Sequence, residues 1–329
     1  MNGDNMQQNA ISRLLTTPEG RLAVIAVVVF VGMSVLSPDK FLSLQNLTSM
    51  AFQFPEFAIL ALAMTVTMLT GGIDLSVVGI ANLSAIVAVM IMTRLTGSGD
   101  GVGVLLLALS AAVVVGMTAG VFNGILVANL SLPPILATLG SGLIFTGIAI
   151  ALTGGSALMG LPPAAAWIGN STVFGVPTPL ILFGLLAAAI SLLLTRTAFG
   201  VKLRMYGANP LAARFAAVNI DAMLIKVYVL SGVLAAIAGM VVMSRANSAK
   251  ADYGSSYLLL AVLIAVLGGV NPYGGYGRVI GVVLAVLSMQ FLSSGLNMVG
   301  VSNFARELIW GVLLIFVMIV NTWRARGRR

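Results

Sequence analysis

Residues 201–219 read VKLRMYGANPLAARFAAVN, and they interrupt a chain that is otherwise almost continuously apolar. Lys202, Arg204 and Arg214 make this stretch too charged to cross a bilayer, while its Ala, Leu and Arg content favours helix over open loop. Asn209 followed by Pro210 supplies an N-cap and a first helical residue with preset φ. A short helix over 209–214, lying on the cytoplasmic side of a membrane, is therefore expected. The flanking sequence supplies the membrane part: 59% of residues are hydrophobic, 8% are charged and the mean hydropathy is +1.09, where a soluble domain carries about 25% charged residues. A helix crosses the hydrocarbon with about 20 apolar residues, and lipid cannot satisfy open sheet edges. The expected fold is all-α, a polytopic integral membrane bundle.

Apolar windows predict about ten transmembrane helices, near 21–37, 55–70, 75–93, 102–128, 134–152, 177–195, 222–243, 257–270, 279–296 and 304–323. Residues 44–54 suggest a separate interfacial helix, and 257–270 a re-entrant one. The whole chain, 1–329, reads as a single transmembrane domain, with an N-terminal segment 1–20, the charged break 197–220 and a basic tail 324–329. Arg13 and Arg21 precede the first span, Arg196, Lys202, Arg204 and Arg214 fill the break, and Arg324, Arg326, Arg328 and Arg329 end the chain. An even number of spans on each side of the break puts all three clusters in the cytoplasm, with both termini. The first apolar stretch has no clear small-residue cleavage site and reads as an uncleaved helix. The positive charge is thus mostly topology, with room for anionic membrane lipid, and it gives no sign of nucleic-acid binding. Without His or Cys, imidazole and thiolate catalysis, disulfides and the usual metal sites are excluded.

Small residues recur every four positions, on one helix face: Ala112, Gly116, Gly120 and Gly124; Ser231, Ala235 and Gly239; Gly277, Gly281 and Ala285. They serve close packing, or sliding during transport. Two interruptions look alike. Gly71 and Gly72 precede Asp74, and Gly268 and Gly269 precede Asn271, with Gly274 and Gly275 following. Glycine admits left-handed backbone, and each Asx residue is placed to cap the next helix. The match also suggests an internal repeat. Asp74 reads either as a cap, stabilised by the helix dipole, or as an intramembrane ionisable site. Glu56 and Glu307 fall near expected span ends, within reach of water. Asn82, Asn123, Gln290 and Asn297 are neutral hydrogen-bonding groups in or near the spans. With Asp74 they form a candidate translocation pathway, or else they tie helices together.

Several phrases occur in order: GGIDLS (71–76), PPILATLG (133–140), LTGG (152–155), TAFG (197–200), YGANPLAAR (206–214), YVLSGVLAAIAG (228–239) and LGGVNPYGGYG (267–277). Together they resemble the ribose-type permeases of bacterial ATP-binding-cassette importers, a group that includes uptake systems for other monosaccharides and for autoinducer-2. The resemblance covers residues 41–320. It implies a permease subunit in the bacterial cytoplasmic (inner) membrane. A second copy or homologous permease, two ATPase subunits and a periplasmic solute-binding protein would be its partners. The break then becomes the segment that couples to the ATPase, through Gly207, Asn209, Pro210, Ala212, Ala213 and Arg214. The chain departs from the family at Ala216 and Ala217, where a Ser-Gly pair is usual, at Val78, usually Gly, and in a short loop over 155–175.

No G-x-x-x-x-G-K-[ST] loop is present. The chain therefore has no phosphate cradle of its own, and ATP and Mg belong to a partner. A secondary transporter driven by an ion gradient through Asp74 is the alternative from another class. An intramembrane enzyme lacks any catalytic pair at motif spacing.

Overall fold

The computed structural model describes residues 17–95 and 101–326. The expected segment 1–20 lies mostly outside the described residues, as do the last three residues of the tail 324–329. The elements run α1 (Pro18–Leu36), α2 (Pro38–Phe41), α3 (Leu44–Met68), α4 (Val77–Leu95), α5 (Gly101–Ala128), α6 (Pro134–Thr153), α7 (Pro163–Asn170), a two-stranded hairpin of β1 (Thr172–Val173) and β2 (Val176–Pro177), α8 (Thr178–Arg196), α9 (Ala198–Ala208), α10 (Pro210–Phe215), α11 (Ile220–Ala246), α12 (Tyr257–Leu267), α13 (Val279–Met298) and α14 (Asn303–Arg326). Eight of these are long and apolar enough to cross a membrane: α1, α3, α4, α5, α6, α8, α11 and α13.

Residues 44–54 are not a separate interfacial helix. They form the first half of α3, which continues through Pro55. Proline removes one backbone hydrogen bond and normally breaks a helix, but from Phe54 to Met68 every residue of α3 is buried, and that packing holds both halves in line. α12 spans only 11 residues, about 16 Å, roughly half the hydrocarbon thickness. This fits the re-entrant expectation for 257–270.

The bundle is organised around α3 and α11. α11 packs on α5, α3, α4 and α7; α13 packs on α1 and α3; α12 packs on α3, α13 and α14. The glycine ridge of α5 sets its distance from α11. A Cβ on Gly120 would lie 2.6 Å from Val229 Cα, and one on Gly124 would lie 2.7 Å from Ile225 Cα, so the two backbones are as close as glycine permits. The ridge of α11 faces elsewhere: a Cβ on Gly239 would strike the Ala81 carbonyl of α4.

Candidate functional site

The charged break and the two glycine turns meet at one end of the bundle. Gly275 N donates to the Leu69 carbonyl oxygen at 3.0 Å. A Cβ on Gly274 would lie 2.8 Å from both the Gly207 carbonyl oxygen and the Gly71 nitrogen, and one on Gly275 would lie 2.9 Å from Ala208 Cα. On Gly207 a Cβ would run into the Leu69 carbonyl and the Gly275 nitrogen. Backbone from 69–71, 207–208 and 273–275 therefore forms a three-way junction, in which the Ala208 methyl is the side chain nearest Gly275. Gly71, Gly269, Gly274 and Gly275 have φ of 81°, 81°, 93° and 81°, a region closed to most L-residues. Gly72 and Gly268 are small for another reason: their Cβ atoms would lie 2.9 Å from the Tyr228 hydroxyl and 2.7 Å from Val282 Cα.

Asn271 does not cap α13, whose N-cap position is held by Arg278 without a side-chain bond. Its amide instead closes its own turn, donating to the Gly274 carbonyl at 2.8 Å and accepting from Tyr273 N at 3.2 Å. The loop returns on itself before the helix begins, so the asparagine lies too far from α13 to reach it.

The break folds as two helices, α9 and α10, hinged at Asn209. Asn209 Oδ1 accepts from Leu211 N and Ala212 N, both at 3.0 Å, so the cap signature acts as its chemistry requires. Pro210 fills the first helical position. Ala213 is fully buried and faces the chain's own body. Leu211 is 60% exposed and Phe215 84%; with exposed Arg214 they form an outward ridge at i, i+3 and i+4. Ala217 follows at φ 53°, a left-handed position that glycine takes more easily than alanine.

Next to the junction, Asp74 is fully buried. It accepts from Ser76 N at 3.0 Å, from Ser76 Oγ at 2.6 Å and from Ser231 Oγ at 2.7 Å, and Asn123 Nδ2 donates to Ser76 Oγ at 2.7 Å. Burial pushes the carboxyl above its ordinary value, and the Ser76 and Ser231 hydrogen bonds act against that shift. The carboxylate thus closes the turn entering α4 and ties it to α11, while Ser76 ties the same turn to α5. Thr138 joins α6 to the same turn, its hydroxyl accepting from Leu75 N and donating to the Ile73 carbonyl, both at 3.0 Å.

The other pathway candidates are dispersed. Asn82 Nδ2 donates to the Ala251 and Tyr253 carbonyls, each at 2.9 Å, and holds the 251–253 loop. Asn297 is exposed near the end of α13. Gln290 is buried and lines a cavity at the far end of the bundle. Only Asp74 and Asn123 are brought together.

Glu56 does not sit at a span end. It lies inside α3, 7% exposed, where Arg245 Nη1 donates to Oε1 at 2.8 Å and the Tyr257 hydroxyl to Oε2 at 2.9 Å. The sequence signal was available: an ionisable residue within an apolar run marks function by default. Its partners lie far along the chain and have no local signature. Among the described residues, no cluster of His, Cys, Asp and Glu could hold a metal ion.

Eight helices long and apolar enough to cross a membrane, with a capped helix pair seated on a backbone junction at one end of the bundle, define a multi-pass membrane protein. The family model described as "Branched-chain amino acid transport system / permease component" matches residues 46–318, and the chain belongs to that permease family. It is 34% identical over 308 residues to the autoinducer 2 import system permease protein LsrD of Enterobacter sp. (strain 638), covering 92% of this chain and 91% of that one. It is 33% identical over 305 residues to the ribose import permease protein RbsC of Escherichia coli (strain K12), covering 91% and 92%. No solved structure matches the chain.

Proposed function

We propose that this permease forms the translocation pathway for an uncharged sugar or sugar-like solute. In this reading it works with a second copy or a homologous permease, in the bacterial inner membrane with both termini cytoplasmic. A periplasmic binding protein delivers the solute, and separate ATPase subunits, which hold ATP and Mg, drive the cycle. The relatives named for ribose and autoinducer 2 import support the solute class.

The observation that carries the coupling role is the outward ridge of Leu211, Arg214 and Phe215 on a capped helix whose inner neighbour, α9, ends at the three-way junction. Phe215 is a large apolar group that fills a partner's pocket, and Arg214 beside it offers a planar fork of donors. A push on α10 passes through Ala208 and Gly207 to the backbone of 69–71 and 273–275. The Ala208 methyl, the side chain nearest Gly275 there, cannot absorb the push by changing rotamer.

The test uses the transporter reconstituted with its ATPase and binding protein. Arg214→Glu and Phe215→Ala are expected to abolish solute-stimulated ATP hydrolysis while leaving the thermal midpoint of the chain unchanged. Full stimulation and uptake in both variants would sink the reading.

A further inference from the structure

At the end of the bundle opposite the junction lies a cavity of about 530 Å³, within the range of small-molecule sites. Gln290 carries the most information there. It is 3% exposed, it lines the cavity, and among the described residues its amide has no protein hydrogen-bond partner. Unlike the fully buried unpaired atoms of Ser84 and Tyr228, the amide keeps access to the cavity space. The Glu56–Arg245 ion pair forms part of the same wall, and Arg306 and Glu307 add one further charge of each sign. The lining is therefore polar without net charge. Phe57, Tyr257 and Trp310 supply aromatic surface beside these groups.

We infer that this cavity is a solute station within a single permease chain, and that it takes an uncharged, hydroxyl-bearing ring. The inference rests on the permease reading and specifies where the solute is held. Carboxylate, guanidinium and amide groups are planar and each bonds two neighbouring hydroxyls. The aromatic rings suit the C–H face of a sugar. Glu56 is already held by Arg245 on one oxygen and Tyr257 on the other, so its carboxylate is fixed in orientation on the cavity wall.

Three helices continue the cavity wall to the junction. Glu56 lies on α3, whose C-terminal end leads to Leu69, the acceptor of the Gly275 bond. Tyr257 begins α12, which ends beside Gly268. Gln290 lies on α13, which starts just past the turn of 273–277. A ligand that draws these walls together acts on all three lines into the coupling junction.

The experiment measures saturation transfer by NMR from the full chain in nanodiscs to D-ribose, D-xylose and D-galactose, with L-leucine as the zwitterionic probe. Transfer to at least one sugar is expected, weakened about tenfold in Gln290→Leu, a change that removes the amide but keeps an apolar side chain of similar size. Tyr257→Phe keeps the ring and is expected to weaken transfer less. Transfer to leucine alone, transfer to no sugar, or sugar transfer untouched by Gln290→Leu in a variant with wild-type thermal midpoint overturns the inference. ATP-driven sugar uptake by the complete transporter is measured in parallel. Uptake without transfer to the chain refutes the cavity and leaves the permease reading standing, whereas loss of the permease reading shows as no ATP-driven uptake at all.

Discussion

Gly207→Ala tests the junction through the sign of its effect. Gly207 lies in the last turn of α9, and helix propensity alone makes alanine there better by about 0.5–1 kcal/mol. The junction argues the other way. The new Cβ would meet the Leu69 carbonyl and the Gly275 nitrogen, the two ends of a 3.0 Å backbone hydrogen bond. Separating them leaves a buried donor and acceptor unpaired, at a cost of about 1–3 kcal/mol, and overpacking adds about 1–3 kcal/mol. Against the propensity gain, the net loss is about 1–5 kcal/mol. Gly140→Ala is the control: Gly140 lies inside α6 with nothing within 4 Å of its Cβ position, so only the propensity gain remains. Denaturant unfolding of both variants in detergent, followed by tryptophan fluorescence, gives the two values. If Gly207→Ala is as stable as Gly140→Ala, the three backbones do not pack as described and the transmission argument fails with them.

The complementary substitution is Ala217→Gly. Left-handed backbone costs an L-residue about 1–2 kcal/mol, offset in part by glycine's larger entropy loss, so the same unfolding assay is expected to show a gain of about 0.5–1 kcal/mol; a loss would mean that Ala217 is not left-handed. Asp74→Asn is expected to lower stability by about 1–3 kcal/mol and to couple with Ser231→Ala by about 0.5–3 kcal/mol in a double-mutant cycle. ATP-driven uptake should persist in Asp74→Asn, and uptake that instead required an ion gradient through Asp74 would restore the secondary-transport alternative. Between Asp100 and Arg196 the chain has no Asp, Glu, Lys or Arg, and the hairpin in that stretch carries Phe174 fully exposed, which suits the membrane-water interface. A spin label at Phe174→Cys, in a chain free of other cysteines, should collide more with oxygen than with a water-soluble nickel complex. The reverse is expected at Lys250→Cys, and equal behaviour at the two sites would place the hairpin in water.

What the sequence made legible was local. Asn209 and Pro210 encode their cap within two positions, and the eight long spans declare themselves through continuous hydropathy. The paired glycine turns were visible as turns, and Gly71, Gly269, Gly274 and Gly275 do adopt the backbone that glycine alone takes easily. What was hidden depends on contacts between distant segments. Pro55 suggested a helix boundary, because a proline's effect is decided by how firmly its neighbours are packed. Asn271 and Asp74 looked equivalent, yet one closes its own loop and the other reaches Ser231 on α11. Ala212 and Ala213 read alike, and only the way α10 sits on the body shows that Ala213 is inward while Phe215 points out. The convergence of Gly207 with both turns joins three stretches that the sequence keeps far apart.

α3 runs from the cavity wall to Leu69 at the junction, and its proline stands beside Glu56 at the cavity end. Pro55 leaves the Ala51 carbonyl without its helical donor, so α3 resists bending least in the turn next to Glu56. From Glu56 to Leu69 the helix is a lever of about 20 Å. An interface shift of about 2 Å at the junction, usual for packed helices that switch, requires a tilt of only about 6° when the pivot is Pro55. Without that pivot the less buried half, 44–53, would have to move together with the closely packed half, 54–68. The proline therefore lets α3 be fixed by burial and still deliver motion at one end, and the Glu56–Arg245–Tyr257 cluster places a solute-facing contact at the pivot, where small changes in helix angle begin.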